Sequence, residues 1–149
     1  MNRAILALLF SASVACATAG ERTAEQQLRN YLNSKSELGS VFAQGTLDGV
    51  DYRKLLRGAV AKDSASLAGI FRYTGNGKLM GEGAESNCDI LHQLLRLWGD
   101  AAYARVLAAE SPKIRSAVIT ALDYTWSHPG WRSNEFPITY RLAKHIQRQ

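Results

Sequence analysis

Cysteine is nearly absent from this chain: there are two, Cys16 and Cys88, in 149 residues. Cys16 falls within an N-terminal apolar run, so no internal disulfide framework is expected, and stability has to come from packing. Histidine is almost as scarce, with three. His92, His128 and His145 show no H-x-x-x-H spacing and no C-x-x-C accompanies them, so a metal site would need convergence from separate elements. No metal and no cofactor is expected. Period-two alternation of apolar and polar residues is missing as well. "KLM" within "GNGKLMGEG" is too short to make a sheet. The apolar run "AILALLFSASVACA" (4–17) is too short to span a bilayer comfortably.

That run does have the makings of an export leader. Arg3 supplies a positive start, and "ATA" (17–19) before Gly20 fits the small-x-small rule, giving a signal peptide over 1–19 and a periplasmic or secreted protein. A rival reading takes Cys16 in "SVAC" as the lipidated residue of an outer-membrane lipoprotein. Ser13 stands where a lipobox usually carries Leu or another branched apolar residue, which favours the first reading. The remaining 20–149 has a typical single-domain length. The chain is formally +5, and the leader removes only Arg3. The excess gathers late, where Arg132, Arg141, Lys144 and Arg148 face only Glu135. An exported protein meets no chromosome, so nucleic acid is not an expected partner. Anionic envelope polymers, lipid headgroups or an acidic protein suit the charge better, and an ordinary solvated basic surface accounts for it equally.

Helical spacing dominates the rest. "TAEQ" (23–26) reads as a capping box with Thr23 as N-cap, ahead of Ala24, Leu28, Tyr31 and Leu32 on one face. Asp48 can cap a second helix carrying Tyr52, Leu55, Leu56, Ala59 and Val60. Asp63 or Ser64 opens a third, with Leu67, Ile70 and Phe71. Ile90, Leu91, Leu94, Leu95, Leu97 and Trp98 form a wide apolar stripe in the fourth, which "GD" (99–100) ends. Tyr103, Val106 and Leu107 follow. Ser111 then caps a helix with Pro112 in its first turn, where a missing N–H costs nothing. Its buried face is Ile114, Ala117, Val118, Ala121 and Leu122, with Ile119 and Trp126 on a second face. In "FPITYRLAKHIQRQ", Ile138, Leu142 and Ile146 share one side. This is a C-terminal capping helix, or a basic amphipathic helix able to lie on an anionic bilayer.

Two segments align without a gap, "YRKLLRGAVAKDSASLAGIFRYT" (52–74) and "YARVLAAESPKIRSAVITALDYT" (103–125). Tyr52 matches Tyr103, Leu56 matches Leu107, Lys62 matches Lys113, and "YT" closes both. Each reads as a helix, a tight turn and a second helix. The second, with "GD" before its first helix and "SPKIRSAVITAL" in its second, resembles a HEAT repeat. The fold expected is therefore all-α: a short HEAT-like α-solenoid or an irregular helical bundle of about seven helices. The resemblance implies a protein-binding scaffold rather than a chemistry. After each copy comes a turn-rich stretch, "GNGKLMGEGAE" and "WSHPGWRSNE". Equivalent insertions in a solenoid emerge on one side, so these loops are expected to be neighbours. They supply the candidate partner-binding residues Tyr73, Lys78, Met80, Glu82 and Glu85 from the first, and His128, Trp131, Arg132 and Glu135 from the second.

No catalytic constellation is expected. Cys88 and His92 lie one helical turn apart, but Cys88 falls at the edge of the apolar stripe while Asp89 points to the polar side. A structural cysteine and a surface or partly packed histidine follow. Glu82, Glu85 and Glu135 are candidates for the acid of a cell-wall glycosidase or transglycosylase, yet carboxylates near helix starts are ordinary. The leading expectation is a non-catalytic, exported protein-binding protein. By architecture and address it is comparable to an immunity or inhibitor protein that neutralises a secreted effector or envelope enzyme. The alternatives are the cell-wall enzyme and a structural envelope protein anchored through Cys16. Membrane association is expected only with that lipid, and oligomeric state is left open. Mass spectrometry of the exported protein should find Gly20 at its N-terminus and no lipid label. Label abolished by Cys16→Ser would establish the lipoprotein instead.

Overall fold

The computed structural model describes residues 19–34, 40–124 and 134–146. The stripe of Ile90, Leu91, Leu94, Leu95 and Leu97 belongs to helix α5 (Gly81–Trp98), the longest among the described residues. Around it come α1 (Ala19–Asn33), α2 (Val41–Leu47), α3 (Tyr52–Val60), α4 (Ser64–Asn76), α6 (Asp100–Ala108), α7 (Pro112–Tyr124) and α8 (Pro137–Ile146). The described residues form these eight helices and no strand, an all-α irregular bundle. Asn87 and Cys88, Ile90 to His92, Leu94, Leu95 and Leu97 are all buried, so α5 is enclosed on nearly every side. It packs against α1, α2, α3, α6 and α7, while α4 lies along α7 and α8 closes over α6 and α7.

One polar cluster crosses this core. The Tyr52 hydroxyl on α3 donates to Asn87 Oδ1 on α5 at 2.8 Å. Asn87 Nδ2 donates to Thr74 Oγ1 on α4 at 3.1 Å, and the Thr74 hydroxyl donates to the Ile70 carbonyl at 3.0 Å. Tyr52 and Asn87 are each 1% exposed, so every member depends on another for its hydrogen bonds.

Helix starts follow side-chain caps, though not always the expected ones. Asp63 caps α4 through the Ser66 N–H at 3.0 Å, and Ser111 reaches the Ile114 N–H of α7 at 3.4 Å. Asp51, not Asp48, caps α3, accepting from the Lys54 N–H at 2.8 Å. Thr23 caps nothing: α1 already begins at Ala19, and the Thr23 hydroxyl donates back to the Ala19 carbonyl at 3.0 Å. Gln26 turns to Asn30. The cap of α8 comes from elsewhere, since Asp100 at the start of α6 accepts from the Ile138 and Thr139 N–H groups at 2.6 and 2.7 Å. Pro137 occupies the first position of that helix.

Several helix ends borrow a donor from another helix. Arg53 on α3 donates to the Leu32 carbonyl at the end of α1. The Trp98 indole at the end of α5 donates to the Ala59 carbonyl of α3 at 2.9 Å, and Lys62 returns a bond to the Leu97 carbonyl of α5. Arg115 on α7 reaches the Ala108 carbonyl at the end of α6 at 3.2 Å. The Leu32, Leu97 and Ala108 bonds satisfy carbonyls left over at a helix C-terminus, and the Ala59 carbonyl takes the indole in addition to the Lys62 N–H. Three of the four donors carry the positive charge that the helix dipole favours there.

Three expectations are revised. First, α2 is an additional helix, and its Gly45 sits so close to the start of α3 that a Cβ would lie 2.9 Å from the Val50 carbonyl oxygen. Second, the stretch after Thr74 is mostly helix: α4 runs to Asn76 and α5 starts at Gly81, leaving only Gly77–Met80 between them. Third, the aligned segments do not stack as equivalent hairpins. The turn 61–63 closes α3 onto α4, with Gly58 against Ser66 and Gly69 against Leu55. In the other copy, α6 packs on α8, α5 and α4 rather than along α7. Gly75 at the end of α4 abuts Ile114 in the first turn of α7, whereas the alignment pairs Ile114 with Asp63 at the other end of α4. The Asp100 cap gives the reason, because it draws the start of α6 to α8. Asn87→Ala should strand the Tyr52 hydroxyl in the core and lower stability by about 1–3 kcal/mol in chemical denaturation, with Tyr52→Phe costing less.

Candidate functional site

The first turns of α5 are held from outside by α2. Gln44 uses its whole carboxamide on the Met80 backbone: Nε2 donates to the Met80 carbonyl at 2.7 Å, and the Met80 N–H donates to Oε1 at 3.1 Å. The Val41 N–H donates to Ser86 Oγ at 3.1 Å. This clamp needs Gly83, where a Cβ would come within 2.5 Å of the Gln44 amide. The Met80 side chain is left 73% exposed. Leu47 follows Gln44 by three residues, on the same side of α2, and is 86% exposed. Two large apolar side chains therefore stand in solvent at a corner whose backbone is fixed.

Beside them is a pocket of about 400 Å³ walled by Asp48, Val50, Arg72, Tyr73, Asn76 and Lys78, among others. Its polar groups are already ordered. The Tyr73 hydroxyl donates to Asp48 Oδ2 at 2.9 Å, and burial, followed by the Asp48 carboxylate, pushes its pKa far above the ordinary phenol value. Arg72 grips the buried Glu110 side-on, Nε to Oε2 at 3.1 Å and Nη2 to Oε1 at 2.9 Å. That pair fixes the α6–α7 turn to α4 while leaving the guanidinium largely exposed at the pocket.

The candidate partner-binding residues divide. Lys78 and Met80 are exposed in the link between α4 and α5, and Glu82 and Glu85 are exposed in the first turns of α5 rather than in a loop. Tyr73 is buried, its ring edge-on to Tyr52 at 5.6 Å, so it forms the wall rather than a free contact. Glu135 pairs with Arg96 at 3.4 Å. Arg96 is near the far end of α5, sixteen residues and roughly 24 Å of helix from Met80. Glu135 is therefore not a neighbour of the first stretch, and Glu82 and Glu135 are not facing carboxylates of one cleft. His128, Trp131 and Arg132 lie outside the described residues, as do Trp126 and Cys16. Leu47 and Gln44 escaped notice in the sequence.

The Cys88, Asp89, His92 group does not assemble into a catalytic set. Cys88 is buried in α5 and in no disulfide. Asp89 turns outward and accepts from the Tyr31 hydroxyl at 3.2 Å. His92, expected near the surface, is 2% exposed and lies edge-on to Phe136 at 6.0 Å. Among the described residues, no three of His, Cys, Asp and Glu converge as metal ligands, and no helix is long and apolar enough to cross a membrane. No protein-family model matches the chain, and neither a curated protein nor a solved structure matches it.

Burial, then the neighbouring Arg96, lowers the His92 pKa from 6.5 to about 4. The unfolded chain therefore binds a proton that the native state refuses. Stability from this group is complete above about pH 6.5 and declines as pH falls toward 4. Between pH 6.5 and 5 the slope should approach about 1.4 kcal/mol per pH unit. Urea titrations across that window should find it removed in His92→Gln.

Proposed function

We propose that the protein is a binding module without chemistry of its own, which engages a protein partner through the corner formed by α2 and the α4–α5 link. The observation that carries this reading is the exposure of Leu47 and Met80 on a backbone already ordered by Gln44. A backbone already fixed has little freedom to lose on docking, so only the ordering of the side chains themselves is set against the energy of their burial. The adjacent pocket, with Arg72 and Lys78 on its rim, gives the polar surround that such anchors need to exclude water.

The partner, on this proposal, is an envelope enzyme or a secreted effector met after export, and the protein acts as an immunity or inhibitor protein by occlusion. The leader-like composition of 1–19 supports the address. A photo-crosslinking residue at position 47 or 80, introduced in the producing cell, should capture one dominant partner that the same residue at Arg57 does not. Against that purified partner, Leu47→Ala with Met80→Ala should weaken binding at least about tenfold without lowering the melting temperature. Unchanged affinity would rule the corner out.

A further inference from the structure

A second concavity, sharing no residue with that corner, lies between α1 and α5. It has a volume of about 580 Å³ and is lined by Gln27, Asn30, Tyr31 and Ser34 on one side and by Asp89 and Gln93 on the other. The first four are spaced as one stripe along α1 and its C-terminal end, and the last two are one turn apart on α5. What lines the groove limits what it can take. Among the described residues that line it there is no lysine or arginine for a phosphate or another anion, a single carboxylate where a hard divalent cation requires a larger oxygen set, and no aliphatic side chain for a lipid or a flat apolar ligand.

Three carboxamides, a hydroxyl, a phenol and one carboxylate remain, and these are the groups that satisfy a neutral molecule covered in hydroxyls. A carboxamide donates and accepts side by side, as adjacent ring hydroxyls do. Part of the set is held in place. Asn30 Oδ1 accepts from Gln26 at 3.1 Å, which leaves its NH₂ as the donor facing outward. Asp89 accepts from Tyr31 through Oδ2 at 3.2 Å, which fixes the tyrosine and leaves Oδ1 for a ligand hydroxyl. Burial and Asp89 raise the Tyr31 pKa to about 12, so the phenol remains a donor at any physiological pH. The geometry points to a binding site for a neutral oligosaccharide in the α1–α5 groove, with Asp89 and the Gln27, Asn30 and Gln93 amides holding its hydroxyls and Tyr31 packing beside a ring. The inference is independent of the protein-docking corner.

The test is a ¹H–¹⁵N NMR titration of the full chain with tetra-N-acetylchitotetraose and with maltotetraose, using dextran sulfate as the anionic comparison. A neutral tetrasaccharide should give saturable shifts centred on Gln27, Asn30, Tyr31, Asp89 and Gln93, with a dissociation constant of about 1 mM or below. Asp89→Ala, at an exposed position, and Gln93→Ala, at a half-buried one, should each weaken it at least about tenfold. Lys113→Ala should leave it unchanged. Absence of saturable shifts with both sugars, shifts centred elsewhere, full affinity in Asp89→Ala, or a response to dextran sulfate alone would overturn the assignment.

Discussion

The carboxamide of Asn87 is the group on which the arrangement of the central helices depends. It accepts a hydrogen bond from Tyr52 and donates one to Thr74, and so joins α3, α5 and α4 inside the core. Apolar faces alone permit helices to slide or rotate at modest cost, because one close-packed contact can replace another. A buried amide with two obligatory partners allows one register, since any displacement leaves polar groups unsatisfied in a medium where that is expensive. The consequences spread outward. With Tyr52 fixed, Tyr73 packs edge-on against it and reaches Asp48. The same placement of α3 brings Arg53 over the Phe42 ring, 4.3 Å from its centroid, and onto the end of α1.

The positive charge of the chain takes on a different meaning in this setting. Arg53, Lys62 and Arg115 donate to carbonyls at the ends of other helices, while Arg72 and Arg96 hold carboxylates. Part of the basic excess therefore replaces loop length and disulfides as the means of joining helices. Arg72 shows how structure and surface can share one side chain: one edge of its guanidinium secures Glu110, and the rest faces a pocket.

Most of the helices could be read from spacing, because α4, α5 and α7 carry their buried residues at helical intervals and Asp63 and Ser111 are strong caps. What escaped was non-local. α2 has two buried apolar residues and a glycine in seven positions, too little for a periodic signal, and its place is set by Ser86 and Tyr52. "GEG" read as part of a turn-rich loop, yet Gly83 is there so that Gln44 can approach the helix. His92 lies at the edge of the stripe on a helical wheel, and only the arrival of Phe136 from far along the chain encloses it. The corner proposed for docking was partly visible, through Lys78, Met80, Glu82 and Glu85. Leu47 could not be recognised as exposed without knowing which side of α2 is buried. The α1–α5 groove left no mark in the sequence, since its residues come from two polar stripes that look like ordinary solvated faces.

Lys62 carries a constraint of another kind. It is the one non-glycine residue among those described with a positive φ, 65°, at the turn between α3 and α4, and its ammonium reaches the end of α5. The backbone would be better served by glycine, since the left-handed region costs other residues about 1–2 kcal/mol. The side chain has to be long and cationic to reach the Leu97 carbonyl and lie beside the Trp98 ring. Asparagine tolerates the backbone and is too short, and arginine has the reach but no ease in that conformation. Selection on local shape and selection on a distant bond thus pull position 62 in opposite directions. The residue found there is a compromise that neither demand alone would choose, and drift toward either optimum loosens the other.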